Sequence, residues 1–285
     1  MIVESRRRFG DIDTRTLAVG GGSATFVPFH GFGDSADTWR GVLTRLEQAG
    51  HTAVAFDMPG FGVTQPLTAD PVMPQWDCFV DDVIDEYGEV AVVGNSLGAA
   101  AAIRAAARRP DRVSTVVAVD DPFLADHRPM RLAQSRALEL VACSPILDRL
   151  PLSLVQALIR ATVPGLIYHR RAHVERSVVD RWVASVDSSA VLCQYADLVH
   201  RIACEAKAWH PTAAVECPTL VVHGAHDRLI PTSASVALHA RVPGSELAVH
   251  AQAGHCPQLE YPDWLARTML EFLGRQIAGD PEAVS

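Results

Sequence analysis

Val90-Ala91-Val92-Val93-Gly94-Asn95-Ser96-Leu97-Gly98-Ala99-Ala100-Ala101-Ala102 decides how this chain folds. Four consecutive apolar residues, three of them β-branched, read as a strand buried on both faces. The alanine-rich stretch that follows predicts a helix over 97–109, since alanine is the best helix former. Between strand and helix the chain must turn sharply. Glycines two before and two after Ser96 suit such a turn, because neighbouring backbone comes too close for a side chain. The turn puts Ser96 at the carboxyl end of its strand, where the free N–H groups of the helix beginning at Leu97 favour developing negative charge.

The same alternation runs outward in both directions. Thr16–Val19 and Ala24–Phe29 read as strands around a Gly20-Gly21-Gly22 turn. An apolar stripe at Trp39, Val42, Leu43 and Leu46 predicts a helix over 37–49, with a strand at 52–56 and a helix near 74–87. A strand at 113–119 closes this half. The pattern resumes with strand 219–223, helix 232–241, strand 246–250 and helix 262–277. Apolar strands alternating with helices indicate an α/β fold, a mostly parallel central sheet with helices on both faces. Residues 122–210 contain no convincing strand and read as four or five helices broken at Pro129, Pro145, Pro151 and Pro164. The expected organisation is a core of 1–121 and 211–278, an all-helical cap of 122–210, and a disordered tail at 279–285.

Composition narrows the function. A formal charge of −8 argues against a nucleic-acid partner, which needs a strongly basic face. Arg6-Arg7-Arg8 reads as the solvated edge of an N-terminal strand. No apolar run approaches the ~20 residues that span a bilayer. The start lacks the apolar core of a secretory signal, so a cytoplasmic location is the expectation. The six cysteines are scattered without a CxxC pair and read as free thiols rather than a disulfide framework. Twelve histidines include no HExxH string. The one HxxxH pair, His169 and His173, reads as a solvated helix face rather than a metal site.

With these motifs in place, the chain resembles the α/β-hydrolase superfamily from about residue 16 to 277, most nearly a small esterase-like branch with a helical cap. Gly94-Asn95-Ser96-Leu97-Gly98 resembles its nucleophile elbow. His30-Gly31-Phe32-Gly33 resembles its oxyanion loop, which implies the backbone N–H groups of Phe32 and Leu97 as the two donors to a tetrahedral oxyanion. Asp57-Met58-Pro59-Gly60-Phe61-Gly62 looks like a common structural turn, so Asp57 is not the expected acid, and His30 is expected to brace its own loop. Asp227, past strand 219–223, and His255, past strand 246–250, stand where the resemblance places acid and base. The order Ser96, Asp227, His255 is the order it implies. Asp120, at the end of strand 113–119, is the rival acid.

The implied chemistry is hydrolysis of a carboxylic ester, thioester or lactone through an acyl-Ser96 intermediate, with no cofactor and no metal. The partner is a small-molecule acyl substrate. Ser96 argues against epoxide or halide chemistry, which in such relatives uses an aspartate. Relatives that cleave carbon–carbon bonds commonly carry tryptophan after the histidine, and Cys256 departs from that. A carbon–carbon bond hydrolase or lyase on the same scaffold, cofactor-free perhydrolysis, and a non-catalytic ligand binder remain the alternatives. Charge in the expected cap is too evenly balanced to mark a surface for anionic substrates. Oligomeric state is not legible.

Overall fold

A computed structural model describes residues 1–21, 25–67, 70–124, 126–208 and 215–279. Gly22 of the expected turn, Ala24 of the expected strand, the 210/211 boundary and residues 280–285 of the expected tail lie outside the described residues.

Strands β1 (Val3–Phe9) and β2 (Ile12–Val19) form an antiparallel hairpin, and β2 pairs antiparallel with β4 (Ala53–Phe56). From β4 onward every pairing is parallel, through β3 (Phe26–Phe29), β5 (Val90–Asn95), β6 (Val113–Val119), β7 (Thr219–Gly224) and β8 (Glu246–His250). The eight strands run in the order β1-β2-β4-β3-β5-β6-β7-β8. The sheet is therefore the mostly parallel one expected, with an antiparallel edge supplied by the arginine-bearing hairpin.

Alternation along β5 builds both cores. Val92 faces one side with Trp76, Phe79 and Val83 of α2 (Val72–Tyr87), Ile103 of α3 (Leu97–Arg108) and Leu238 of α10 (Thr232–Arg241). Ala91 and Val93 face the other, with Val42, Leu43 and Leu46 of α1 (Arg40–Gln48) and Leu265, Met269 and Phe272 of α11 (Pro262–Gly279). Trp39, just before α1, is buried in this second core. Each such large side chain contributes ~1.5–3 kcal/mol of burial free energy, and together they hold the sheet's carboxyl edge rigid where the site is built.

Between β6 and β7 the chain is helical, as expected, but more finely divided. It forms α4 (Arg128–Gln134), α5 (Ala137–Ala142), α6 (Pro145–Asp148), α7 (Leu152–Ile167), a single 3-10 turn at Arg171–His173, α8 (Arg176–Ala184) and α9 (Ser189–Ala208). Pro129 and Pro145 sit in first turns and Pro151 caps α7, positions where a missing N–H costs nothing. Pro164 does not break its helix: it lies inside α7, whose last turn closes with the Tyr168 N–H on the Pro164 carbonyl at 2.9 Å.

The cysteine expectation needs correction. Cys143, after α5, and Cys193, in α9, form a disulfide across 50 residues. Packing of α5 on α9 brings the two Cα atoms to 4.8 Å, a proximity that spacing alone does not disclose. Cys78, Cys204, Cys217 and Cys256 are free, and only Cys256 is buried.

Candidate active site

Ser96 occupies the turn between β5 and α3 with φ 54 and ψ −115, a strained conformation for any residue but glycine. Its surroundings enforce this. A Cβ on Gly94 would lie 2.0 Å from the Gly98 carbonyl oxygen, and one on Gly98 would lie 2.2 Å from the Phe29 carbonyl oxygen. The two glycines thus allow strand, turn and helix to pack tightly enough to hold Ser96 at the sheet edge. Its own amide is spent on Val119, donating to the carbonyl at 2.7 Å. Leu97 opens α3, so its N–H precedes the first intrahelical bond.

The loop after β3 lies directly against this turn: a Cβ on Gly31 would meet the Ser96 Cβ at 3.2 Å. Phe32 follows it and shares the cavity wall with Ser96 and Leu97. His30 is buried and accepts at Nε2 from the Met58 N–H at 2.8 Å, with Nδ1 on the Gly31 carbonyl at 2.7 Å. It ties the loop to the turn after β4. That turn is organised by Asp57, fully buried, which accepts from Arg15 Nε at 3.0 Å and from the amides of Ala36 and Val63 at 2.8 and 2.9 Å. Gly62, with φ +57, has no room for a side chain because its Cβ would overlap the Asp57 carboxylate.

Asp227 and His255 meet on the other side of Ser96. His255 Nδ1 lies 2.6 Å from Asp227 Oδ2, while Asp227 Oδ1 accepts from the amides of Leu229 and Ile230 at 2.7 and 3.0 Å. Burial opposes charge on both groups. For His255, the Asp227 charge and hydrogen bond outweigh burial, so its pKa stands above the ordinary imidazole value. For Asp227, the His255 charge and hydrogen bond together with the two amides outweigh it, and the pKa stands below the usual carboxylate value. With its proton on Nδ1, the ring presents Nε2 as the free acceptor. Ser96 and His255 line one cavity, and the Ser96 hydroxyl has no hydrogen-bond partner among the described residues.

Asp120, the rival acid, is close but engaged elsewhere. One oxygen of each of Asp120, Asp227 and a His255 ring nitrogen lie within 4.8 Å of one another. Asp120 Oδ1 pairs with His223 Nδ1 at 2.9 Å and accepts from the Gly224 amide at 3.1 Å. Burial pushes its carboxyl up to about 6 despite His223. His226 stacks on His169 with ring centroids 3.7 Å apart, which removes both from the reacting edge.

Two positioning groups escaped sequence reasoning. Asn95 Nδ2 donates to the His255 carbonyl at 3.0 Å, fastening the histidine loop to the serine turn. Glu260, buried, accepts from the amides of Gly254, His169 and Arg170 at 2.5, 3.1 and 2.9 Å. It joins the histidine loop to the helical insertion, as does the His255 amide on the Ile167 carbonyl at 2.8 Å.

Above Ser96 the insertion closes a cavity of about 450 Å³. Of the insertion's larger apolar residues, Ile159, Trp182 and Leu192 line it. Leu138, Leu154 and Leu158 are exposed instead. Cys256, beside the histidine, is in the wall.

A model of the alpha/beta hydrolase family matches residues 26–268. The chain belongs to that family. It is a hydrolase, and no helix among its described residues is long and apolar enough to cross a membrane. A 2-hydroxy-6-oxononadienedioate/2-hydroxy-6-oxononatrienedioate hydrolase of Klebsiella pneumoniae is 26% identical over 293 residues, covering 94% of this chain and 96% of the relative. A second hydrolase of that name, from Pseudomonas putida, is 27% identical, covering 94% and 95%. Among solved structures, the 2-hydroxy-6-oxo-6-phenylhexa-2,4-dienoate hydrolase of Rhodococcus sp. strain RHA1 superposes with a TM-score of 0.78 at 21% identity, over 96% of this chain and 99% of that one.

Proposed function

We propose that this enzyme hydrolyses a carbon–carbon bond beside a ketone, using Ser96, His255 and Asp227 beneath a cap formed by residues 122–210. The observation that carries this reading is end-to-end similarity to hydrolases whose named substrates contain no ester, amide or thioester. In a 2-hydroxy-6-oxo dienoic acid, the bond open to water is the carbon–carbon bond next to the 6-oxo group. The expected preference for esters accordingly gives way to the carbon–carbon alternative.

The geometry suits the chemistry. Ser96 Oγ adds to the ketone carbon as His255 Nε2 takes its proton, and Asp227 steadies the imidazolium. The oxyanion is received by the amides of Phe32 and Leu97. With the dienol in its 2-oxo tautomer, its hydroxyl proton moved to the carbon beside the 6-oxo group, collapse breaks the carbon–carbon bond and the electron pair stays on the departing fragment as a conjugated enolate. The His255 proton quenches that carbon. Water, activated by His255, then releases the acid, so one water is consumed and one acid and one ketone fragment appear. No cofactor enters this scheme. A cytoplasmic location belongs to the same proposal, and the Cys143–Cys193 pair would there meet reducing conditions.

Ester, thioester or lactone hydrolysis by the same triad is the second reading. Cys256 favours it, since this small residue stands in the cavity wall directly after the histidine. Turnover of a matched dienol ketone and aryl ester, with both products quantified, separates the two. The proposal expects acid and ketone in equal amounts from the former, abolished in Ser96→Ala. Turnover of the ester alone would establish the second reading instead.

A further inference from the structure

The curated relatives act, by name, on dicarboxylates, and the Rhodococcus enzyme on a carboxylate. A buried carboxylate needs a charged or strongly donating partner, because desolvating it unpaired costs several kcal/mol. The cavity over Ser96 is poor in such partners, the phenol of Tyr195 being the one uncharged donor of that strength in its wall. Among the described residues lining it there is no arginine and no lysine. Its two histidines are committed. His127 accepts from the Met130 amide at Nδ1, 3.3 Å away, and Nε2 lies 3.1 Å from the Pro122 carbonyl, so both ring nitrogens are engaged. His255 is held by Asp227 at 2.6 Å.

The charged group that the wall does contain is an acid. Asp34 follows the oxyanion loop, on the same cavity as Ser96. Its Oδ1 accepts from the Trp182 indole N–H at 3.1 Å and from the Ser35 amide at 2.9 Å, which locks the carboxyl between the core loop and α8. The Thr38 hydroxyl also bonds the carboxyl, and the Trp182 and Ser35 donors both sit on Oδ1. Burial pushes the carboxyl above the usual range, while His30, the Trp182 indole, the Ser35 amide and the Thr38 hydroxyl hold it back. A carboxyl group offers about four lone-pair sites, so in either protonation state it can accept one hydrogen bond more.

Taking this cavity as the substrate site, as the proposed function does, we infer that it selects an apolar substrate without a carboxylate and anchors it through a hydroxyl or enol O–H on Asp34. An O–H finds a ready acceptor in this carboxyl, whereas a substrate carboxylate in the same place makes a pair of acids that cannot both ionise without like-charge repulsion. The rest of the wall is aliphatic and aromatic, from Phe32, Phe123, Ile159, Val163, Trp182 and Tyr195. Asp34 thus determines specificity while Ser96 and His255 do the chemistry. The enzyme departs from its curated relatives in the charge of what it takes.

The test is calorimetric binding to Ser96→Ala of phenylbutanone, its para-hydroxy derivative and its para-carboxylate derivative. The expected order is hydroxy tighter than unsubstituted by about tenfold, and carboxylate weaker than unsubstituted by at least about tenfold. Adding Asp34→Asn should shrink both differences to under about threefold. Trp182→Phe, which keeps the ring and removes the indole donor, should preserve the order. The inference is overturned if the carboxylate binds as tightly as the unsubstituted ketone. It is equally overturned if Asp34→Asn leaves the order as it was or weakens all three ligands alike, which would make Asp34 a brace for Trp182. None of these ligands is cleaved, so a failure of the carbon–carbon reading appears only in product analysis and leaves this ranking untouched.

Discussion

Asp227→Asn preserves shape and removes charge, yet the local hydrogen bonds make its effect larger than charge alone. The amides of Leu229 and Ile230 both donate to Oδ1 at 2.7 and 3.0 Å. An asparagine must turn its carbonyl oxygen toward these two donors, and its NH₂ then faces His255 Nδ1, 2.6 Å away in the wild type. The ring can accept that N–H only by moving its proton to Nε2, the tautomer that cannot take a proton from Ser96. A wrong tautomer of this kind lowers kcat on the order of 10⁴-fold, about 5 kcal/mol of barrier. The assay is steady-state kinetics on whichever substrate class turns over, across pH. Because the base must be unprotonated and Asp227 raises the His255 pKa, the acid limb of the wild-type kcat/KM profile lies above the ordinary imidazole value. Removing the charge moves that limb to lower pH. Asp120→Asn, by contrast, should cost less than about tenfold in kcat, since Asp120 bonds His223. A loss below tenfold in Asp227→Asn with an unmoved limb would refute the reasoning and shift the acid role to Asp120.

Three further changes probe the frame around the site. Gly98→Ala drives a Cβ to 2.2 Å from the Phe29 carbonyl, so β3 and α3 must part; urea denaturation should show a loss of ~1–3 kcal/mol, with most activity gone. Glu260→Gln leaves three amides, that of Gly254 buried, facing a neutral side chain with one carbonyl oxygen. The expected loss is ~1–3 kcal/mol in stability, with a fall in kcat exceeding any rise in KM. Cys143→Ser opens a loop of 50 residues, which by chain entropy alone lowers stability by ~4 kcal/mol. Reductant should shift the wild-type midpoint equally and the variant's not at all.

The parts legible in the sequence were those whose physics is local. The run from Val90 to Ala102 forms strand, strained turn and helix because apolar burial, glycine clearance and alanine propensity agree within thirteen neighbouring residues. Asp227 and His255 follow strands directly, so placing β7 and β8 also placed them. What stayed hidden depends on distant contacts. Cys143 meets Cys193 only once α5 packs on α9. Asn95 and Glu260 show their purpose only when the histidine loop folds over the serine turn. Pro164 leaves α7 to run three residues further, at the cost of the one hydrogen bond that its missing N–H would have given the Arg160 carbonyl. Asp34 gave no sequence signal, since a carboxylate in a loop is ordinarily solvated and only α8 makes it part of a cavity wall.

The central claim is an assembled triad that activates Ser96, and intact mass after incubation with a fluorophosphonate tests it most directly. Wild type should gain one adduct, mapping to Ser96, while Ser96→Ala gains none and Asp227→Asn reacts far more slowly. A wild type that stays unmodified, or an Ser96→Ala protein that is labelled at the same rate, would contradict the account.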